Sequence, residues 1–384
     1  MRTLAGSKLE TPPGRDEIEL SVFGPGFGES TVVHLGGDRW MIVDSCLSQG
    51  TKEPASLDYL EAIGVKISTN VRLVVSTHWH DDHIRGLAKV YAKCESAEFV
   101  CAGGLKSDQF TKLASLYSRE FPAGGSGLEE FNGVLLTLVK RKQGQRFIAP
   151  KFVGEGTMIY ETNLSPRAAV KALSPSSEAV LASLVKFSGL LPTEGQRRSA
   201  VPSVDPNDLA IVLTVKVGEA RVLLGADLEE RGEAGVGWKT VIERFSEIDN
   251  LHQGYKVSHH GSETGHHDGI WPKLLIRDAW AVLTPYLRGR HRLPTTADMA
   301  RICALSPDAY ITARGPTARY QHPDPTVRRQ MKEMGVTILE EGSRQGHVRF
   351  RRNASEPNGD WSVEIFGDAC QLEELRQSNG RRQP

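Results

Sequence analysis

The chain has 384 residues, enough to bury a large core in one big α/β domain or two ordinary ones. Acidic and basic residues balance at 47 each, which excludes binding of polyanions through bulk charge and requires any nucleic-acid contact to come from a local patch. The opening MRTLAGSKLETPPGRDE has no apolar core segment, and no uninterrupted apolar run approaches the ~20 residues that span a bilayer, so the expectation is a cytoplasmic protein without membrane contact. Five cysteines (Cys46, Cys94, Cys101, Cys303, Cys370) are scattered without Cys-x-x-Cys spacing, which suits a reducing compartment better than a disulfide framework.

Taken in order, Ile18 to Phe23 begins a strand, and GPGFGES turns it into a second at Ser30 to Leu35. That Gly-rich turn joins strand to strand and lacks a following helix or Lys-Ser/Thr, which argues against a phosphate loop. A hairpin through Gly36, Gly37 and Asp38 leads into RWMIVD, ending at Asp44. His34, inside a strand, reads as structural, and Cys46 as a small buried residue. A helix is expected at Leu57 to Ile63, a strand at Glu98 to Cys101 and a helix around Ser107 to Phe121. The stretch 103–162, including LEEFNGVLLTLVKRK, reads as an insertion covering one rim of the site. Helical spacing returns at Ser177 to Leu191, and Pro192 to Pro206 reads as a polar loop. LAIVLTVKVGEARVLLGAD is a hairpin ending in Asp227, and GYKVSHHGSETGHH a strand ending in His259 and His260. Mixed strands and helices continue through Thr326 to Met334, and the polar tail 372–384 is expected to be disordered.

The densest chemistry lies in VRLVVSTHWHDDHIRG, Val71 to Gly86: a buried apolar strand, then His78, His80, Asp82 and His83, then helical spacing at Ile84, Leu87, Ala88 and Tyr91. Imidazoles two apart at the mouth of a strand can converge on one metal ion, and the Asp-His pair after them can face a second. Such nitrogen and oxygen donors suit Zn²⁺, Mn²⁺ or Fe²⁺. The apolar runs MIVD, LVVST, VLLGAD and YKVS end at or beside Asp44, His78, Asp227 and His259. Side chains at corresponding strand ends project over one sheet edge, and four of metal-ligand type together are hard to explain as turn residues.

HWHDDH matches the H-x-H-x-D-H signature of the metallo-β-lactamase superfamily, and Asp44, Asp227 and His259 fall where that superfamily has its first Asp, its bridging Asp and its last His. The resemblance implies a single domain of the four-layer αββα sandwich class, its core over about 18–352. Within the superfamily the chain resembles the hydrolase domain of DNA-uptake competence proteins and choline-phosphate esterase relatives. NDLAIVL from Asn207, the GAD turn, VSHHGS and the His-Pro at His322 carry that likeness. The further metal-binding His of most members is missing, since no histidine occurs from Ile84 to Leu251. Asn207 or Asp208 stands in that place as a weak ligand or water anchor, which makes Mn²⁺ plausible beside Zn²⁺.

By this resemblance His78 and His80 hold one ion, Asp82, His83 and His259 the other, and Asp227 bridges, the choice between His259 and His260 staying open. A water between ions ~3.5–4 Å apart loses a proton near neutral pH and attacks. Asp44 orients histidines, while His260, Ser262 and His322 are candidates for contacting substrate oxygens. Asp82, Asp227 and His260 are therefore the expected catalytic set. The function expected is a phosphodiesterase or nuclease, with Lys256, Arg288, Arg290, His291, Arg292, Arg314 and Arg319 as candidate phosphate contacts. The alternatives are an acyl hydrolase for a lactone, thioester or β-lactam, and a metal-stabilised binding module without turnover.

Overall fold

The computed structural model describes residues 2–3, 10–25, 27–106, 127–144, 147–190, 205–246, 251–288, 292–314 and 345–380. Among these, two sheets stand face to face. The first contains β1 (Arg2–Thr3), β2 (Glu17–Gly24), β3 (Ser30–His34), β4 (Trp40–Val43), β5 (Val71–Val75), β6 (Glu98–Ala102) and β7 (Lys151–Val153). The second contains β8 (Met158–Thr162), β9 (Ala168–Ala172), β10 (Leu213–Val217), β11 (Ala220–Leu224), β12 (His252–Lys256), β13 (Leu275–Leu283) and β14 (Ala309–Ile311). Late in the chain β15 (Gly346–Asn353) and β16 (Ser362–Gly367) return to the first sheet, and β17 (Cys370–Gln371) to the second. The strand orders are β1-β16-β15-β2-β3-β4-β5-β6-β7 and β17-β14-β13-β12-β11-β10-β9-β8.

Alternation along β13 shows how the layers are made. Trp280 and Val282 enter the core between the sheets, while Ala279, Ala281 and Leu283 enter a second core under helices. Trp280 stacks on Phe350 of β15 across the interface, ring centres 3.9 Å apart and planes 8° from parallel. Outside the second sheet, the second core takes Trp238, Val241 and Ile242 from the helix Gly237–Phe245 and Met299 and Ile302 from the helix Thr296–Leu305. On the first sheet's other face lie the helices Ala55–Ala62, Leu87–Lys93 and Gly127–Gln143, through Leu60, Val90 and Val134. The result is helix, sheet, sheet, helix, the four-layer sandwich expected from the sequence.

Two expectations change. Part of the supposed insertion belongs to the sandwich itself: β7 pairs with β6 and β8 with β9, closing one edge of each sheet. The helix Gly127–Gln143 is fastened to the signature segment, since Glu130 accepts from the backbone N–H groups of Gly86 (2.8 Å) and Ala88 (3.0 Å), and Arg141 lies over the Tyr91 ring. The tail is a helix over Leu372–Gly380, because Leu372 and Leu375, three apart, both reach the second core. The expected helices at 107–121 and 326–334, and the loop over 192–204, lie outside the described residues. No helix among the described residues is long and apolar enough to cross a membrane.

The candidate metal centre

β4 and β5 run parallel, as do β11 and β12, so Asp44, His78, Asp227 and the His259–His260 pair follow strands that finish at the same edge of the sandwich. β12 and β13 are also parallel, and β3 is antiparallel to β4, so Thr284 after β13 and Glu29 before β3 come to that edge too. Two glycines make the approach tight enough. Gly28 has φ +101°, and a Cβ there would sit 2.8 Å from the Cβ of Cys46 and 3.1 Å from the carbonyl of Asp82, so the turn closes directly on the signature loop. At Gly225 a Cβ would meet the Ser258 hydroxyl at 2.3 Å. The N–H of Gly225 instead bonds the carbonyl of Lys256 (2.9 Å), and that of His259 the carbonyl of Ala226 (2.9 Å). Those bonds fix Asp227 beside the paired histidines.

Asp82, His83, Asp227 and His260 are all buried and each brings one donor atom within 4.8 Å of the others. Nε2 of His83 is 3.2 Å from Oδ2 of Asp227, and Nε2 of His260 is 3.0 Å from Oδ2 of Asp82 and 3.6 Å from Oδ2 of Asp227. His78 stands behind, its Nε2 3.9 Å from Oδ2 of Asp227. Asp44 serves both signature histidines on the side away from the cluster. Its Oδ2 is 2.9 Å from Nδ1 of His83 and accepts the Thr77 hydroxyl at 2.6 Å, and that hydroxyl oxygen is 2.9 Å from Nδ1 of His78. With each Nδ1 occupied, the Nε2 atoms are left to face inward. Burial presses the Asp227 carboxyl up, but His83, His260 and His78 outweigh it and hold Asp227 well below the usual carboxylate range. Burial likewise pulls His83 down, yet Asp227, Glu29 and Asp82 hold it well above an ordinary imidazole.

The donor set fits a divalent metal. Nε2 of His78, Nε2 of His83 and Oδ1 of Asp227 are buried without a hydrogen-bond partner, an arrangement costly in a protein interior unless something else satisfies the atoms. Imidazole nitrogens with carboxylate oxygens are the donors that zinc, manganese and iron accept.

The adjacent histidines part company. Both have left-handed backbones, φ 46° and 52°, and their ring centres lie 6.2 Å apart. His260 enters the cluster, its Nδ1 3.1 Å from the Thr284 hydroxyl, whereas His259 is half-buried with Nδ1 2.8 Å from the Thr264 hydroxyl and 3.0 Å from Glu229. His80 is also half-buried, its ring centre 5.0 Å from that of His78. Asn207 is buried and gives its amide to Glu229 (3.3 Å). Asp208 turns outward to Lys186 (3.0 Å) and Arg231 (3.3 Å), so the structure does not bring it to the cluster. The Ser262 hydroxyl accepts from the N–H of Thr264 (3.3 Å), capping its own turn.

Lys256 corrects an expectation. Instead of facing a phosphate it is buried beneath the cluster in an ion pair with Glu29, whose other oxygen accepts the Thr284 hydroxyl at 2.5 Å. β12 buries both of its faces, so a lysine at that strand's last residue is enclosed. Arg314 is tied to the C-terminal helix, 3.5 Å from Glu374. Arg288 and Arg292 are exposed, and Arg290, His291, Arg319 and His322 lie outside the described residues. Sequence reasoning missed Glu29, Thr77, Thr284 and Glu229. Glu229 had a signal, an acidic residue two positions past Asp227, while Glu29 and Thr284 become neighbours only through strand register.

The sequence profile of the metallo-beta-lactamase superfamily matches residues 23–266, more than half of the chain. The chain belongs to this superfamily of metal-dependent hydrolases. Among solved structures, the metallo-beta-lactamase SMB-1 bound to 2-mercaptoethanesulfonate is 14% identical, the match covering 66% of this chain and 82% of that one at a TM-score of 0.33. MEM-A1, a subclass B3 enzyme from a soil metagenome library, is 13% identical over 66% and 83% of the two chains at 0.32. The hydrolase AbOPH is 13% identical over 56% and 72% at 0.32. No curated protein matches.

Proposed function

We propose that this member of the superfamily is a phosphodiester hydrolase, a nuclease or an enzyme of small phosphodiesters, working with two divalent ions, Zn²⁺ or Mn²⁺. The observation that carries the substrate class is a cationic and aromatic rim beside the cluster. The guanidinium of Arg85 lies 4.9 Å from the Phe27 ring centre and that of Arg288 4.7 Å from it. Tyr286 links this ring to the centre, 5.6 Å from Phe27 and 5.5 Å from His260. Arg85 also faces the Asp81 carboxylate at 3.8 Å, so the exposed Arg288 on the same aromatic face is the cation that matches an anionic diester beside a flat base, whereas a neutral lactone or thioester gives it no counterpart. The likeness of NDLAIVL, GAD and VSHHGS to the hydrolase domain of DNA-uptake proteins belongs to this reading.

When bound, the ions supply Lewis acidity and make water nucleophilic near neutral pH. The chain's own residues do the rest. Asp82, His83 and His260 form one half of the donor set, His78 and His80 the other, and Asp227 lies between them. Asp44 holds His83 directly and His78 through Thr77, so neither ring turns during turnover. Arg288 binds the substrate's anionic oxygens and keeps its diester at the edge where the donors converge. Metal-stripped protein re-supplied with Mn²⁺ or Zn²⁺ should hydrolyse bis-p-nitrophenyl phosphate and single-stranded DNA. Turnover of lactones or thioesters with every diester untouched would replace this reading with acyl hydrolysis.

A further inference from the structure

The Gly-rich turn that leads into β3 carries no member of the donor cluster, yet its last residues bind the loops that do. The N–H of Glu29 donates to the carbonyl of Asp82 (2.8 Å) and the Ser30 hydroxyl to the carbonyl of Asp44 (3.0 Å), which laces the turn to the signature segment of the first sheet. The Glu29 side chain then crosses to the second sheet. Its Oε1 meets the ammonium of Lys256 at the end of β12, and its Oε2 accepts the hydroxyl of Thr284, the residue after β13, at 2.5 Å. The side chains of Glu29 and Lys256 are only 4% and 2% exposed, and Oε1 of Glu29 is also 3.8 Å from Nδ1 of His83. Asp82 comes from the first sheet and Asp227 and His260 from the second, so a strut at this point sets the distance between the donors of the two sheets.

The direction of these hydrogen bonds decides which nitrogen His260 offers. A carboxylate has no hydrogen to give, so Glu29 takes the hydrogen of the Thr284 hydroxyl and leaves that oxygen's lone pairs toward Nδ1 of His260, 3.1 Å away. The Thr284 carbonyl, also 3.1 Å from Nδ1, is an acceptor as well. Between two acceptors Nδ1 carries the hydrogen. Nε2 is the nitrogen left to bind a cation, 3.0 Å from Oδ2 of Asp82 and 3.6 Å from Oδ2 of Asp227. A Thr284 hydroxyl released from Glu29 would be free to donate to Nδ1 and to move the ring hydrogen to Nε2, where it blocks a metal.

We propose that Glu29 is a positioning residue for the metal centre, acting through Thr284 to fix the ring of His260 with Nε2 toward Asp82 and Asp227, and that Lys256 is buried to hold the Glu29 carboxylate in place. This rests on the reading of the cluster as a metal centre, not on the number of ions or the choice of substrate.

Zn²⁺ binding to metal-free protein, read by competition with a chromogenic chelator, is measured beside thermal unfolding of the same samples. Glu29→Gln and Thr284→Val should each weaken the first Zn²⁺ equivalent by roughly tenfold, the lower end of the cost of losing an outer partner of a ligating histidine, because the Thr284 carbonyl remains. The two together should cost no more than the larger single loss, and Thr284→Ser, which keeps the hydroxyl, should bind as wild type does. Glu29→Gln leaves Lys256 enclosed without its anion and should lower the unfolding temperature. Adding Lys256→Met removes the unpaired charge and should restore much of that temperature without restoring Zn²⁺ affinity, a separation that a merely structural pair would not show. Wild-type affinity in Glu29→Gln or Thr284→Val, losses that add in the pair, or affinity that returns with stability in Glu29→Gln/Lys256→Met would each overturn the proposal. No Zn²⁺ uptake by wild type would remove the metal reading and the proposal with it. If Glu29→Gln fails to fold, Thr284→Val against Thr284→Ser decides: weakened binding in the first alone supports the assignment, and equal binding in both contradicts it.

Discussion

On one flank of the centre Asp82, His83, Asp227 and His260 are all buried, and three elements behind them, Asp44, Thr284 and the Glu29–Lys256 pair, leave their rings one orientation. On the other flank His80 and His259 are half-buried, and Asn207 gives its amide to the Glu229 carboxylate, which stands 3.0 Å from His259. The histidines of both flanks follow parallel strands ending at one edge, so the difference lies in what packs behind each side chain. A flank rich in buried carboxylates is prepared for an ion before it arrives. The half-buried flank is the one open to solvent and, in the proposed reading, to substrate.

In the proposed two-ion reading Asp227 is shared by the two flanks, so Asp227→Ala should erase the distinction. Both equivalents of metal should be lost and diester turnover should fall by ~10²-fold or more, measured by elemental analysis and initial rates. A variant that keeps the tighter ion would show that Asp227 serves one flank only.

Lys256 underlies the buried flank alone. Lys256→Met leaves the Glu29 carboxylate enclosed without its cation, which should cost about 3–5 kcal/mol in denaturant unfolding. A loss below about 1 kcal/mol would mean that the pair contributes no more than a surface one.

Acid should blur the comparison from outside it. His34 and His252 are buried in strands away from the cluster, each with Nδ1 against a backbone carbonyl, and burial brings each down to about 4 from 6.5. Between those values the unfolded chain binds more protons than the native one. Their contribution to stability is therefore level above about pH 6.5 and falls as pH drops toward 4, by up to roughly 3 kcal/mol for each histidine. Metal-free protein with His34→Gln should lose less over that interval; an unchanged slope would place the acid sensitivity elsewhere.

The smallest effect belongs to the exposed rim. Arg288→Ala should raise KM for a polynucleotide about two- to five-fold, the worth of an exposed cation on a ring, and leave kcat on a small chromogenic diester unchanged. Equal losses on both substrates would move Arg288 from substrate binding to the support of Phe27.

The sandwich was legible because its strands read as short apolar runs, most of them buried along their whole length, and its signature falls at a strand end. His78, Asp82, His83 and Asp227 were legible for the same reason, since a side chain just past a buried strand has one edge to occupy. The choice between His259 and His260 was not, because both residues take left-handed backbones, which a histidine does not announce in sequence. Lys256 read as a surface cation because sequence cannot show that Glu29, 227 positions away, lies opposite it. The tail read as disordered from its polar composition, although two leucines three apart were enough to dock it.

This centre is proposed to act as a metal-dependent phosphodiester hydrolase. The direct measurement is turnover of bis-p-nitrophenyl phosphate, single-stranded and duplex DNA, RNA and a lactone panel by metal-stripped protein, with and without added Mn²⁺ or Zn²⁺. The result expected is diester cleavage that returns only with metal and disappears in Asp227→Ala. Cleavage of lactones alone, or no cleavage of any substrate with metal fully bound, would contradict it.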